Sequence, residues 1–403
     1  MVNKMKKLLI LGGSRYVIPA IEAAHKLGAY VITCDYLPDN IGHKYSDEYH
    51  NVSIIDKEAV LKLAKELKVD GVISFATDPG VVVAAYVAEQ LGLPTPPYES
   101  VKILQNKDLF RKFLSENQFN VPVAMGFSNK EDAYKSLSKF NFPIIVKPVD
   151  SAGSKGVTRV DDIKGLDKAI DFALSYSLSS KFIIEEFIEK LGHSSDTDCF
   201  SINNELVFAS FCCQYFDEAA INPYTPSGYT WPSDMPSEKQ KELRNELQRL
   251  IELLDLGTSI YNVETRVGKD GKAYVMEVSP RGGGNRLSEM LRYASGQDLI
   301  ENNIRAALGM PMLEMTDPIY NGAWAEFVVH SDKNGTFNKL VLDDAVRDKY
   351  LIEEDIWVAK GDKVKAFTGA NETLGTIVLK FDSHEEAMSM LQNNKEWIKV
   401  LVD

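Results

Sequence analysis

The chain has no uninterrupted apolar run of about 18 residues, so no membrane-spanning helix is expected. It also lacks a basic surplus. Lys and Arg number 45 against 58 Asp and Glu, a formal net charge of −13. Nucleic acid and anionic membranes are therefore not expected as partners, because dense phosphate calls for basic surface. Cysteine is scarce. Cys34, Cys199, Cys212 and Cys213 form no C-x-x-C pair and no zinc-like spacing with histidine. Idle thiols in a reducing, cytoplasmic setting are the expectation. Two nucleotide fingerprints are missing, the Walker A pattern and the G-x-G-x-x-G turn. The opening MVNKMKKLLILGGS has an apolar run only over residues 8–11, too short for a signal-peptide core, and reads as a first strand. No internal repeat or low-complexity tract occurs.

At 403 residues the chain exceeds one ordinary core, and two or three domains are expected. Residues 1–105 alternate short apolar strands (8–11, 30–34, 71–76) with amphipathic helices (18–27, 81–91). That alternation predicts a parallel sheet covered on both faces. Gly12-Gly13 with Asp35 could serve a dinucleotide, and hence a nicotinamide enzyme, or could be plain turn geometry. Helix 107–117, strand 142–147, helix 166–176 and strand 181–187 follow. A hairpin turning near Asn203-Asn204 and a long helix over 238–254 come next. Helices over 285–293 and 298–308 close this part, the second capped by Asp298. From about residue 321 short strands (324–330, 355–358, 364–367, 374–379) and a last helix over 384–392 predict a small α+β unit.

The most informative stretch is TSIYNVETRVGKDGKAYVMEVSPR, residues 258–281. It reads as two strands around Asp270-Gly271, a preferred two-residue hairpin turn with both central φ positive. Counting outward places Glu264 opposite Glu277 and Asn262 opposite Ser279, with Val263, Thr265, Met276 and Val278 on the core face. Two carboxylates so placed either hold a cation, as oxygen ligands for Mg²⁺ beside a nucleotide's phosphates, or form a solvated pair on an edge hairpin near Arg266. A one-residue slip would separate them. Upstream, IIVKPVDSAGSKGV runs a strand ending in Lys147 into the loop Ser151-Ala152-Gly153-Ser154-Lys155-Gly156. Such a loop can wrap phosphate oxygens, act as a KH-type loop, or simply turn. Between the two lies the acidic strand end Glu185-Glu186-Phe187-Ile188.

Lysine strand with glycine loop, acidic strand, and paired-carboxylate hairpin running into Pro280-Arg281-Gly282-Gly283-Gly284: in this order they resemble the ATP-grasp superfamily of carboxylate–amine ligases. The likeness is to the branch of phosphoribosylglycinamide synthetase, carbamoyl-phosphate synthase and biotin carboxylase. It implies a pre-ATP-grasp Rossmann-like α/β domain (1–105), an ATP-grasp domain (106–320, lid about 120–190) and a small C-terminal α+β domain (321–403). It also implies ATP and Mg²⁺, with Mn²⁺ as a substitute. Lys107 and Lys147 correspond to phosphate lysines, and Ser151, Gly153, Ser154 and Gly156 to the lid. Glu185, Glu186, Phe187 and Ile188 correspond to the adenine hinge. Glu264, Glu277 and Ser279 correspond to the metal ligands, and Arg281 to the arginine on the transferred phosphoryl group. Two positions depart from the family pattern. Ser279 stands where asparagine is usual, and the hinge continues as EKLGHSSD, leaving His193 or Asp196 as ribose contacts.

The implied chemistry turns a carboxylate into an acyl phosphate that an amine then attacks. The glycine run 282–284 offers a seat for the substrate carboxylate. Residues 222–234 either shape the acceptor pocket or form a packed surface loop, and Arg266, Arg286 and Arg292 either bind anionic substrate groups or balance Glu289 and its neighbours. The expected partners are small carboxylate and amine substrates, with a homodimer left open. The alternative is a non-catalytic ATP-binding regulatory protein.

Overall fold

The computed structural model describes residues 5–151 and 153–403. Met1–Lys4, at the start of the opening segment, and Ala152 in the glycine loop lie outside the described residues. The first domain is a four-stranded parallel sheet in the order Glu48–His50, Tyr30–Cys34, Lys7–Leu11, Gly71–Ser74. Leu8 to Leu11 are wholly buried, as a parallel strand covered on both faces must be. Helices Ile18–Lys26, Lys57–Leu67 and Asp78–Gln90 provide the cover. The Gly12-Gly13 turn is filled by this domain's own side chains. A β-carbon on Gly12 would lie 2.8 Å from Thr77 Oγ1, and one on Gly13 would overlap the His43 ring. That favours plain turn geometry over a dinucleotide site.

The middle of the chain holds two antiparallel sheets. One, ordered Ala124–Phe127, Phe182–Glu186, Ile144–Pro148, Thr158–Val160, is backed by helix Leu166–Tyr176 through Leu166, Ala169, Ile170 and Ala173. The other is ordered Glu205–Ala209, Ser195–Ile202, Ser259–Val267, Ala273–Ser279. Helix Ser237–Leu253 lies behind it, burying Leu243, Leu247, Leu250 and Ile251. Helix Lys107–Glu116 is capped by Asn106, whose side chain accepts from the amides of Asp108 and Leu109. It projects Lys107 and, one turn on, Arg111 from one face.

A five-stranded sheet closes the molecule: Cys213–Phe216, Pro226–Trp231, Ala323–Val329, Gly375–Phe381, Leu351–Ile356. It crosses the boundary expected at residue 320, because Gly228 to Trp231 pair with Trp324 to Phe327. The C-terminal strands thus complete a sheet begun by the middle of the chain. A strand over 364–367 is not formed beyond the two residues Lys363–Val364. Residues 285 and 286 take left-handed conformations (φ 48° and 57°), which delays the expected helix to Leu287–Ser295.

Candidate active site

The hairpin places Glu264 opposite Glu277 and Asn262 opposite Ser279, the register read from the sequence. It does so through two offsets that cancel. The turn is one residue longer than expected. Val267 pairs with Ala273, the Gly268 amide donates to the Lys272 carbonyl, and only Gly271 within the turn has positive φ, at 76°. The register then shifts between Glu264 and Thr265, so that Thr265 faces Val275 and Met276 is the extra residue of a bulge. The core-face partner of Thr265 is therefore Val275, not Met276. The freed Met276 carbonyl accepts from Arg111 Nη1 at 2.7 Å.

Cations gather on one flank. Lys107 Nζ lies 3.2 Å and Lys147 Nζ 3.9 Å from the same Glu277 oxygen. Burial raises the Glu277 carboxyl, and Lys107 and then Lys147 more than offset it, leaving it below the ordinary range. Glu264 goes the other way. Burial and then the Glu277 charge raise it, and its ion-pair partner Arg266 is 3.6 Å off. Two opposed carboxylates with such incomplete neutralisation are a hard-oxygen donor set that fits Mg²⁺ or Mn²⁺.

Behind them Glu185 is clasped between Lys147 (2.9 Å) and Arg111 (3.3 Å). Burial alone would raise its carboxyl, but Arg111 and then Lys147 bring it down to about 2. Its carboxylate is therefore directed at Arg111 and Lys147, leaving the backbone groups of the strand end for any adenine contact. Glu186 accepts at Oε1 from the Asn141 amide and side chain at 2.7 and 2.8 Å. The Phe187 N–H donates to the Pro143 carbonyl, and the Ile188 carbonyl accepts from Arg266. Arg111 was not singled out from the sequence. Its position one helical turn after Lys107 is the signal that could have found it.

The other flank is acidic. Strand Ser195–Ile202 puts Asp196 beside Glu264 and Asp198 beside Asn262. Asp196, a ribose candidate from sequence, is half-buried in the sheet and accepts from Asn262 Nδ2 at 2.8 Å. Burial and then the Glu264 charge push it up to about 7. Asp198 accepts from the Gly283 N–H at 2.9 Å, from the Ser288 hydroxyl and from Asn262, and burial pushes it up to about 6. The Gly283 amide is thus spent inside the protein rather than offered as a carboxylate seat. A β-carbon there would come within 2.9 Å of Asp198 and 2.6 Å of Leu287, so the close approach requires glycine. The alternation Asp-Thr-Asp was the available sequence signal for this acidic row.

Arg281 grips Asp78 of the first domain through two hydrogen bonds, at 2.9 and 2.8 Å. Ser279 continues the link, accepting from Gln105 Nε2 at 2.8 Å and donating to Asp78 at 3.1 Å. In the glycine loop, Gly153, Ser154 and Gly156 all have positive φ, 68°, 57° and 74°. The Ser151 carbonyl accepts from Lys107 Nζ at 3.0 Å. Ser154 Oγ donates to the Tyr224 carbonyl, and Asn222 Nδ2 to that of Thr368, tying the glycine loop, residues 222–224 and the C-terminal segment together. His193, the other ribose candidate, is paired through Nδ1 with Asp234 at 2.8 Å and lies against Tyr215. Arg286 is taken up by Glu289, Glu353 and the Thr376 hydroxyl.

Residues 104–285 match the family model of the ATP-grasp domain, and residues 21–95 match that of the ATP-grasp N-terminal domain. The chain belongs to the ATP-grasp superfamily. Over 335 residues it is 24% identical to the formate-dependent phosphoribosylglycinamide formyltransferase of Synechococcus sp. (strain WH7803), covering 82% of each chain. Among solved structures it is similar to the L-amino acid ligase from Bacillus licheniformis (TM-score 0.82, 22% identity, 100% of both chains). It is also similar to phosphoribosylglycinamide synthetase from Anaerococcus prevotii (TM-score 0.74, 20% identity, 99% of this chain and 100% of that one). At these identities the likeness to the solved structures is one of fold.

Proposed function

We propose that this protein is a cytoplasmic ATP-dependent carboxylate–amine ligase. It phosphorylates a small carboxylate with ATP, joins the acyl group to an amine, and releases ADP and phosphate. The observation that carries the reading is the Glu264–Glu277 pair opposed across the hairpin, with Lys107 and Lys147 on one of its oxygens. With ATP bound, Glu264 and Glu277 would hold a divalent cation, which supplies charge neutralisation on the phosphates. Lys107 and Lys147 take the phosphate oxygens in exchange for their hold on Glu277. Ser151, Gly153, Ser154 and Gly156 cover the phosphates and keep water from the acyl phosphate. Glu186, Phe187 and Ile188 border the adenine, and Ser279 supports the metal end. Arg281, once released from Asp78, steadies the transferred phosphoryl group. His193 is left out of the nucleotide set because Asp234 holds it. We also propose a domain division near residue 105, with residues 321–403 built onto the sheet that residues 213–231 begin, and a homodimer as the assembly to be checked by sedimentation.

ADP release tests this with pooled L-amino acids, glycine plus phosphoribosylamine, formate plus a ribonucleotide amine, and bicarbonate, each with Mg²⁺. We expect turnover in at least one pool and a loss of about 10²-fold or more in Glu277→Gln at unchanged fold. ATP binding without ADP release in every pool would support the non-catalytic regulator, and a Glu277→Gln variant with wild-type turnover would refute the metal assignment.

A further inference from the structure

Beyond the Glu264–Glu277 pair, four side chains distant in sequence meet. His193 ends the loop that follows the hinge strand, Cys213 opens strand Cys213–Phe216, Asp234 follows Trp231-Pro232, and His384 begins helix His384–Gln392. One ligand atom each from His193, Cys213 and Asp234 lie within 4.8 Å of one another. His193 Nδ1 is 2.8 Å from Asp234 Oδ2, and Cys213 Sγ is 3.3 Å from Asp234 Oδ1. His384 Nε2 stands 3.8 Å from the same sulfur. A tetrahedral zinc centre with nitrogen, sulfur and oxygen ligands spaces its donor atoms roughly 3.3–3.7 Å apart; the three donors of His193, Cys213 and Asp234 are mutually close, and His384 adjoins the group through Cys213 alone, so a side-chain adjustment would bring it in as the fourth ligand. We propose that His193, Cys213, Asp234 and His384 form a binding site for a borderline divalent cation of the Zn²⁺ class, distinct from the Glu264–Glu277 site.

Donor chemistry selects the ion. A thiolate and two imidazoles favour Zn²⁺ over Mg²⁺, which prefers an all-oxygen shell. Without metal, protons hold the cluster: the His193 ring N–H and the Cys213 thiol both donate to Asp234. Binding replaces them: the Cys213 S–H proton is released to solvent as a sulfur–metal bond forms, and the His193 Nδ1 proton moves to Nε2 so that the freed lone pair can coordinate. A nucleophilic role for Cys213 fits less well. Its sulfur is wholly buried, and burial pushes the thiol up to about 12. A second group, Asp217, His330 and Asp332, is a poorer candidate, because it offers no sulfur and Lys395 lies 3.5 Å from Asp217. The proposed ion would staple the hinge loop to the C-terminal unit, since its ligands come from both.

Co²⁺ titration of the chelator-stripped full-length chain tests the proposal. One Co²⁺ per chain should give a thiolate-to-cobalt charge-transfer band in the near ultraviolet, with Zn²⁺ displacing it. Cys213→Ser should remove the band. His384→Gln, at the accessible start of its helix, should weaken Co²⁺ binding at least tenfold and keeps the test open if the buried Cys213 variant misfolds. Glu277→Gln should leave the band unchanged. Absence of the band at saturating Co²⁺, wild-type affinity in His384→Gln, or a band that depends on Glu277 would each overturn the proposal.

Discussion

Glu185 and Asp198 are both buried carboxylates of the ATP-grasp domain, yet their acidities move in opposite directions. Glu185, 3% exposed, lies between two cations and drops to about 2. Asp198, 0% exposed, is surrounded by neutral donors (a glycine amide, a serine hydroxyl and an asparagine amide) and rises to about 6. Burial pushes both up, so the difference comes from what each faces. Glu185 sits beside Lys147, one of the two lysines proposed for phosphate, and holds its ammonium at 2.9 Å. Asp198 anchors the Gly283 backbone and so shapes the loop between Arg281 and Arg286. One carboxylate serves the cationic flank of the site and the other its scaffold.

Removing one partner from each carboxylate should break the comparison unequally. Arg111→Met leaves Glu185 with Lys147 alone and strips the Met276 carbonyl of its donor. A loss of about 3 kcal/mol in urea-unfolding stability is expected, because a buried charge loses half its compensation. Ser288→Ala, which removes a neutral donor from Asp198, should cost about 1 kcal/mol. Equal losses would mean that the cations at Glu185 carry no special weight.

The smaller effect is one of pH. The folded value of Glu185 is depressed, so its contribution is present above its unfolded pKa near 4.5 and is lost as pH falls through about 2. The folded value of Asp198 is raised, so its contribution is complete below its unfolded pKa near 3.8 and is lost as pH rises through about 6. Glu185→Gln should therefore flatten the stability profile on the acid side of pH 4.5, and Asp198→Asn should flatten it between pH 4 and 6. The change in slope is at most about 1.4 kcal/mol per pH unit for each group. Unfolding curves collected across pH 2–7 for both variants read it directly, and a swap of the two windows would reverse the assignment.

Legibility in the sequence follows from range. Strand Tyr30–Cys34 and helix Leu166–Tyr176 fall where the hydrophobic pattern puts them, because each is a short periodic segment closed by its own local signals. The Glu264–Glu277 pairing is legible too, though its longer turn and its bulge are not. Each shifts the register by one, and only their sum is visible from the pairing. A two-residue hairpin turn with both central residues at positive φ occurs instead at Asn203-Asn204, at 51° and 68°. What stays hidden is contact between distant segments: Arg111 on Glu185, Asp78 on Arg281, the sheet joining residues 226–231 to 323–329, and the meeting of Cys213 with three histidine and aspartate side chains. No period or spacing along the chain encodes those pairings, since each depends on how separate elements dock.

Calorimetric titration with ATP, with and without Mg²⁺, on wild type and on folded Glu264→Gln and Glu277→Gln, bears most directly on the central claim. Mg²⁺ should tighten ATP binding at least tenfold in the wild type, and either substitution should abolish most of that gain. A Mg²⁺ effect of wild-type size in both variants would contradict the assignment of this carboxylate pair.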